Sequence, residues 1–427
     1  MQITNKNKIA NIYFNRFIRH KTGITLMQTN KFTLSLITAA ILVAPSAFAA
    51  NSDIGSALTD GKLSANFNLR YEGVEQDNAA KDADALTLRT RLNYTTASVN
   101  GFSAAVELEN SVALVDDYKD AIGHGNEYSV IADPDHTELD QAYIAYKGDK
   151  LSGKIGRQVI TMDNHRFVGH VGWRQDRQTF DALTLGYQLS EATKVSYAYL
   201  AKRNRIFSDE KDVDSQDHLL NISHKLAAGK LTGYAYLLEE DKTGGAEINT
   251  LGIRYAGATK LGDNKVTYSA EFAQQDNDTA DKSANYFAVE AGTNVSSINV
   301  KVGYELLGSD NGEYGFATPL ATLHKFNGWA DQFLATPKEG LQNIYVSVGG
   351  KLAGGSWKIV AHDFSADEGA TGADDFGSEI DAVYAKAINK TFKAGIKYAA
   401  YSAEDAGSGK SPLVDADKVW IWLEVKF

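Results

Sequence analysis

The chain has 427 residues, with 43 Lys+Arg against 54 Asp+Glu, 21 tyrosines and no cysteine. The acid excess argues against a general nucleic-acid binder, which should be basic. The lack of cysteine excludes a disulfide framework and thiolate chemistry.

Residues 1–49 read as a targeting segment and not as fold. Met27 to Lys31 is a short basic n-region, Phe32 to Val43 is an apolar run, and Ala47-Phe48-Ala49 is a small-x-small cleavage site. The run is too short for a membrane-spanning helix, which needs ~20 apolar residues. Residues 1–26 are either an over-long n-region or an upstream start, with the true start at Met27. The segment holds six basic residues and no acids, so 37 Lys+Arg face 54 Asp+Glu in the remainder, a formal charge of −17. Residues 50–61 then form a short N-terminal segment, and 62–427 a single domain without a linker or composition break.

Period-two alternation begins at Lys62. Leu63, Ala65, Phe67, Leu69 and Tyr71 share one face of a strand, and Ser64, Asn66, Asn68, Arg70 and Glu72 the other. Residues 85–99 repeat the pattern, with Arg89 and Arg91 on the polar face. Asn100-Gly101 is a hairpin signal, since both residues tolerate positive φ. Residues 102–114 return, with Val106 and Leu108 opposite Glu107 and Glu109. After an acidic loop at 115–136, strands are expected at 137–147 and 150–161. Further strands fall near 178–188, 194–203, 216–226, 230–240, 246–256, 265–275, 284–293 and 298–308. Residues 309–340 form the longest loop. Strands near 341–350, 356–364, 377–387, 391–401 and 417–427 complete the series. The remaining prolines, Pro134, Pro319, Pro337 and Pro412, all lie outside these runs, as strands in a closed ladder require.

The count is about eighteen and even, and long connections mostly alternate with short ones. One face of each strand is apolar enough for lipid. The other carries Arg70, Arg89, Arg91, Glu107, Glu109, Arg254, Lys301, Glu305, Lys393 and Lys397. That charge density cannot fill a dry core, but it can line water. Backbone groups in lipid must all be paired, so a spanning sheet cannot keep an edge. The expected fold is therefore all-β: a transmembrane antiparallel β-barrel with long outer loops and short periplasmic turns, surrounded by outer-membrane lipid and lipopolysaccharide.

The densest cluster of arginine and aromatics lies in GRQVITMDNHRFVGHVGWRQDRQTFDA, residues 156–182. Two readings of Arg157, Arg166, Arg174 and Arg177 stand side by side. Their planar, permanently charged guanidinium groups suit bidentate contact with anionic solutes at a constriction. Alternatively they pair with Asp163, Asp176 and Asp181 and brace the loop. Arg157 shares the parity of Leu151 and Ile155, so it faces inward only if a bulge at Gly153 or Gly156 turns it. Otherwise it lies at the headgroup rim. The stretch TLHKFNGWADQFLATPKEGL at 322–341, with His324 and Lys325, is amphipathic and long enough to fold inward and narrow a pore.

Together these two stretches resemble the alginate-export family of outer-membrane porins. The resemblance implies an outer-membrane channel with a basic lumen through which an acidic polysaccharide passes. It makes Arg157, Arg166, Arg174 and Arg177 lumen residues, beside the inward-parity Arg70, Arg89, Arg91 and Arg254. The inward face here is mixed and the chain acidic, so the resemblance fits architecture better than cargo. The C-terminal Phe427 closes an alternating strand and resembles the signal read by the barrel-assembly machinery.

No enzyme is expected, for neither GxSxG nor a P-loop occurs. No cofactor is implied. The eight histidines beyond residue 49 show no convincing metal-ligand spacing with a third partner. The acidic clusters Asp116, Asp117 and Asp120, then Asp209, Glu210, Asp212 and Asp214, then Asp367, Glu368, Asp374 and Asp375 read as solvated loop faces rather than calcium loops. The expected function is passive passage of hydrophilic, anionic solutes or saccharide. A general porin, or a surface barrel binding partners through its acidic loops, are the alternatives.

Overall fold

The computed structural model describes residues 53–77, 79, 81–369, 374–404 and 413–427. Residues 1–49, where a targeting segment is expected, and Pro412 lie outside them. Residues 53–59 form a short helix, α1 (Asp53–Thr59). Among the described residues, no helix is long and apolar enough to cross a membrane.

From Lys62 onward the chain is one antiparallel sheet of eighteen strands closed on itself. They are β1 (Lys62–Gln76), β2 (Ala83–Thr95), β3 (Phe102–Asp117), β4 (His136–Lys147), β5 (Leu151–Gln158) and β6 (Thr179–Gln188). Next come β7 (Thr193–Asn204), β8 (Val213–Leu226), β9 (Gly229–Glu239), β10 (Glu247–Leu261), β11 (Asn264–Asn277) and β12 (Lys282–Val295). The last six are β13 (Ile298–Leu307), β14 (Leu341–Leu352), β15 (Gly355–Ser365), β16 (Asp375–Ala387), β17 (Phe392–Ser402) and β18 (Ala416–Lys426). Each pairs with its neighbour in the chain. β18 pairs with β1, bringing Leu423 opposite Leu69 and Trp422 opposite Arg70. Closure leaves no strand edge in lipid, where an unpaired peptide group is costly.

The alternation is physical. Leu69, Val106, Ile144, Ile155, Leu251 and Ile344 are exposed on the outer wall. Arg70, Glu72, Arg89, Glu107, Glu109, Glu305 and Lys397 are buried on the inner one. Short turns join even strands to the following odd ones, and the long loops all join odd to even, residues 278–281 being a short odd-to-even connection. Asn100 (φ 50°) and Gly101 (φ 85°) make the expected left-handed hairpin turn.

All eighteen expected strands are present, with two differences that bear on the site. The stretch 257–264, expected as a turn, is mostly ladder: Gly257 pairs with Tyr268 and Thr259 with Val266. Only Gly262-Asp263 turns. β4 also carries a bulge opposite Glu107 and Leu108, at Asp140. This turns the buried Asp140 inward beside the inward Gln141.

Candidate functional site

Loops 159–178 and 308–340 both fold into the barrel and pack on each other. The Gly169 N–H donates to the Leu320 carbonyl at 2.8 Å, and the Thr322 N–H to the His165 carbonyl at 3.1 Å. The Gln178 amide bridges the loops, donating to the Gly169 and Leu320 carbonyls at 2.9 and 3.2 Å. Aromatic side chains then seat the pair on the inner wall. Phe167 packs on Tyr234 of β9, Tyr286 of β12 and Phe316. Trp173 meets Trp420 and Trp422 of β18, and Phe333 meets Phe364 of β15 and Tyr401 of β17. Large aromatics bury much area per side chain, so these contacts hold the loops at the wall. The inward-folded reading of 322–341 describes this geometry.

The arginines act as spokes from loop 159–178 to distant strands. Arg166 is buried and donates to Glu305 of β13 at 2.7 Å and to the Thr318 hydroxyl at 3.3 Å. Its guanidinium lies 4.8 Å from the Phe326 ring centroid. Arg174 donates to Glu72 of β1 at 3.0 Å and to Asp331 of the second loop at 2.9 Å, with Asp133 at 3.5 Å. Arg177 donates to Asp140 of β4 at 2.5 Å and also to Glu107 of β3. Charge-assisted hydrogen bonds of this kind are the strong ones, and the burial of both partners makes each costly to break.

The wall arginines are similarly engaged. Arg70 bonds Asp133 and the Trp173 carbonyl, with its guanidinium 5.2 Å from the Trp173 ring. Arg91 pairs with Glu109 and reaches the Gln175 carbonyl at 3.3 Å. Arg89 donates to Asn66 at 2.6 Å, and Arg254 lies 3.3 Å from Glu271. Arg157 keeps the outward parity of Ile155, and no register shift interrupts β5 against β4 or β6. It pairs with Asp181 at 2.7 and 3.1 Å on that same wall face. Arg157 therefore lies on the outward side of β5, away from the inward-facing arginines. Of the braces expected from sequence, Arg157–Asp181 is the one formed. The other carboxylates used, Glu72, Glu107, Asp133, Asp140, Glu305 and Asp331, all lie outside this stretch.

His324 stacks on Trp173 at 5.2 Å and donates through Nδ1 to Asp331 at 2.7 Å, while Lys397 donates to its Nε2 at 2.5 Å. Burial, together with Lys397 and Arg174, depresses the imidazole to about 3. Burial works to raise Asp331, but His324, Lys418 and Arg174 outweigh it and hold the carboxyl below the usual range. Lys325 caps the Asn164 carbonyl at 2.6 Å.

A cavity opens on each side of the inserted loops. Toward the long-loop end, a space of about 480 Å³ is lined by Arg174, Arg205, Lys418 and Asp331 among apolar residues such as Phe207 and Leu334. Toward the short-turn end, a space of about 760 Å³ runs along β4–β9. Its lining holds Lys147, Lys154, Lys194 and Lys230 but one carboxylate, Asp163. Asp163 pairs with Lys230 at 2.9 Å, which leaves three lysines without an ion pair there. Sequence reading did not single these lysines out. The available signal was one inward-parity lysine per strand near the short turns.

The alginate-export family matches residues 62–309. The chain belongs to that family. Its fold is shared with solved structures of low sequence identity. OccAB2 of Acinetobacter baumannii is 13% identical with a TM-score of 0.70, covering 87% of this chain and 99% of that one. OccK9 (OpdG) of Pseudomonas aeruginosa is 12% identical with a TM-score of 0.68, covering 86% and 98%. The outer membrane protein OpdK of P. aeruginosa is 11% identical with a TM-score of 0.66, also covering 86% and 98%. No curated protein matches the chain in sequence. The chain is thus a member of the alginate-export family, and its closed eighteen-strand barrel has the fold of these outer-membrane channels.

Proposed function

We propose that this channel passes hydrophilic anionic solutes, and that wall lysines rather than loop arginines meet them. The observation that carries the reading is the short-turn cavity, where four lysines face one carboxylate. A site dominated by one sign of charge between low-dielectric walls concentrates counter-ions. The loop arginines are already neutralised by glutamate and aspartate, so their contribution is the shape of the constriction. OpdK has been crystallised with vanillate, a small aromatic carboxylate, and that chemistry suits the apolar and cationic lining of the outer space here. Acidic saccharide is the second reading, favoured by the family match.

The test is reversal potential in planar bilayers under a KCl gradient, followed by proteoliposome swelling in vanillate, glucuronate and alginate oligomers. Anion preference with swelling in the monomers is expected. Cation preference would sink the reading, and entry of oligomers but not monomers would favour the saccharide. The proposal carries two assembly steps. Residues 1–49 are removed on export, and Phe427, which exchanges backbone hydrogen bonds with Ala65 at 3.0 and 3.3 Å, is read by the barrel-assembly machinery. Deleting Phe427 should lower the yield of heat-modifiable barrel in the outer membrane.

A further inference from the structure

A cluster of carboxylates and one imidazole joins the inner wall to loop 159–178, apart from both cavities. Glu109 of β3 and Glu138 of β4 are direct cross-strand partners. His136 lies two residues before Glu138 and faces the same way. Asp176 descends from the loop. One ligand atom from each of the four lies within 4.8 Å of every other. Like charges placed directly opposite each other in a sheet repel, so this pairing asks for a cation. Arg91 supplies one to Glu109, with Asp140 at 3.8 Å, but not to Glu138.

Two further observations point to what is wanted. Asp176 is 1% exposed, and its Oδ1 has no hydrogen-bond partner; Oε1 of Glu138 is likewise buried without one. Buried carboxylate oxygens are normally paired. The second observation concerns His136. Its Nδ1 lies 3.2 Å from the Pro134 carbonyl, which can only accept, so Nδ1 carries the proton. The other ring nitrogen, Nε2, lies 3.1 Å from Glu109 Oε1. An approach of that length is bridged by a proton or by a metal. A backbone carbonyl holding Nδ1–H so that Nε2 is free is the usual outer arrangement of a ligating histidine.

We propose that Glu109, His136, Glu138 and Asp176 bind a divalent cation of the zinc class. Tetrahedral bonds of about 2.0–2.2 Å to nitrogen and carboxylate oxygen place ligand atoms about 3.3–3.6 Å apart. The observed spread of up to 4.8 Å therefore closes by about 1 Å on binding. Calcium would fit the spread without closure, but it takes oxygen ligands, and the imidazole selects against it. Glu138 is only half-buried and gives the ion its entry. The bound ion pins loop 159–178 to β3 and β4 between the Arg174 and Arg177 spokes. The inference does not depend on which solute the channel passes.

The experiment is calorimetric titration of ZnCl₂ into the refolded, chelator-treated barrel in detergent, with CaCl₂ as the second arm. One equivalent of Zn²⁺ should bind and raise the temperature of the heat-modifiable gel shift. His136→Ala and Glu138→Gln should each weaken binding by well over about tenfold. Glu138→Gln removes the cross-strand repulsion, so the variant should fold at least as well as the parent. Absence of Zn²⁺ binding overturns the proposal. Zn²⁺ binding unchanged in both variants overturns it too, since other histidines would then be responsible. Ca²⁺ binding without Zn²⁺ binding removes the role given to His136.

Discussion

The arginines of loop 159–178 and the lysines beneath them carry the same charge and meet opposite ends. Arg166 and Arg174 are buried, and each is held by carboxylates remote in the chain. Lys154, Lys194 and Lys147 line open space, with only Asp163 as a nearby acid in that cavity. Side-chain chemistry explains the split. The guanidinium fork saturates two carboxylate oxygens at once and tolerates dehydration. The ammonium is a strongly hydrated point charge on a flexible stem, which keeps its head in water. Charge density along a sequence therefore marks where a loop is fastened, while unpaired charge across strands marks where a solute is met.

The largest effect should come from breaking a spoke. Arg174→Ala leaves Glu72, Asp133 and Asp331 without their common cation, and losing one partner of a buried pair costs about 3–5 kcal/mol. Urea unfolding of the refolded barrel should register that loss. Single-channel records should show a larger, noisier conductance as the loop loosens. A fully stable variant with altered selectivity alone would invert the comparison.

Acid should reach the same joint. His324 is held near pKa 3 by burial, against 6.5 when free. The unfolded chain takes the proton at 6.5 and the folded chain refuses it until about 3. The stability is thus complete above pH 6.5 and lost as pH falls through that window. At pH 5 the loss is about 2 kcal/mol, from 1.36 kcal/mol per unit of difference. Comparing urea midpoints at pH 7 and 5 for the parent and His324→Gln isolates it, since the variant should lose this component.

How much of this could be read beforehand depended on whether the cause was local. The strands were legible because lipid on one side and water on the other force alternation residue by residue. The exception, 257–264, has the composition of a turn, yet pairing of Gly257 with Tyr268 carries the ladder through it. A long-range register overrode a local preference there. The cluster at 156–182 was visible as a concentration of arginine, but its partners were not. Glu305 lies 139 residues from Arg166, and only closure of the barrel brings them together. Asp140 faces inward only through a bulge that alternation does not announce. The lysines were missed because each is ordinary on its own strand. His136 and Glu138 escaped notice for the same reason: two ligands were visible on β4, while Glu109 and Asp176 arrive by register and by loop descent.

The lysines provide the complementary test. Replacing Lys154, Lys194 and Lys230 together by glutamine should move the reversal potential away from anion preference. Stability should change little, within about 0.5 kcal/mol per site, because none is part of a buried network. Lys230 is half-exposed, and the largely buried Asp163 keeps its hydrogen bond from Asn221 at 2.9 Å when Lys230 is replaced. If the triple variant unfolds as readily as Arg174→Ala, the lysines are braces as well, and the distinction fails.

The smallest effect belongs to Arg157, which separates position from charge. It is in the same stretch as the spokes and makes a bidentate pair with Asp181, yet both sit on the outward parity of β5 and β6. The Asp181 side chain is 37% exposed, so solvent screens the pair. Arg157→Ala should cost at most about 1 kcal/mol in urea unfolding. It should leave reversal potential and open-channel noise where they were, since Arg157 neither holds the inserted loop nor faces the lumen. A selectivity change in this variant would mean that the outer rim helps to choose the solute, and the filter would then begin above the constriction.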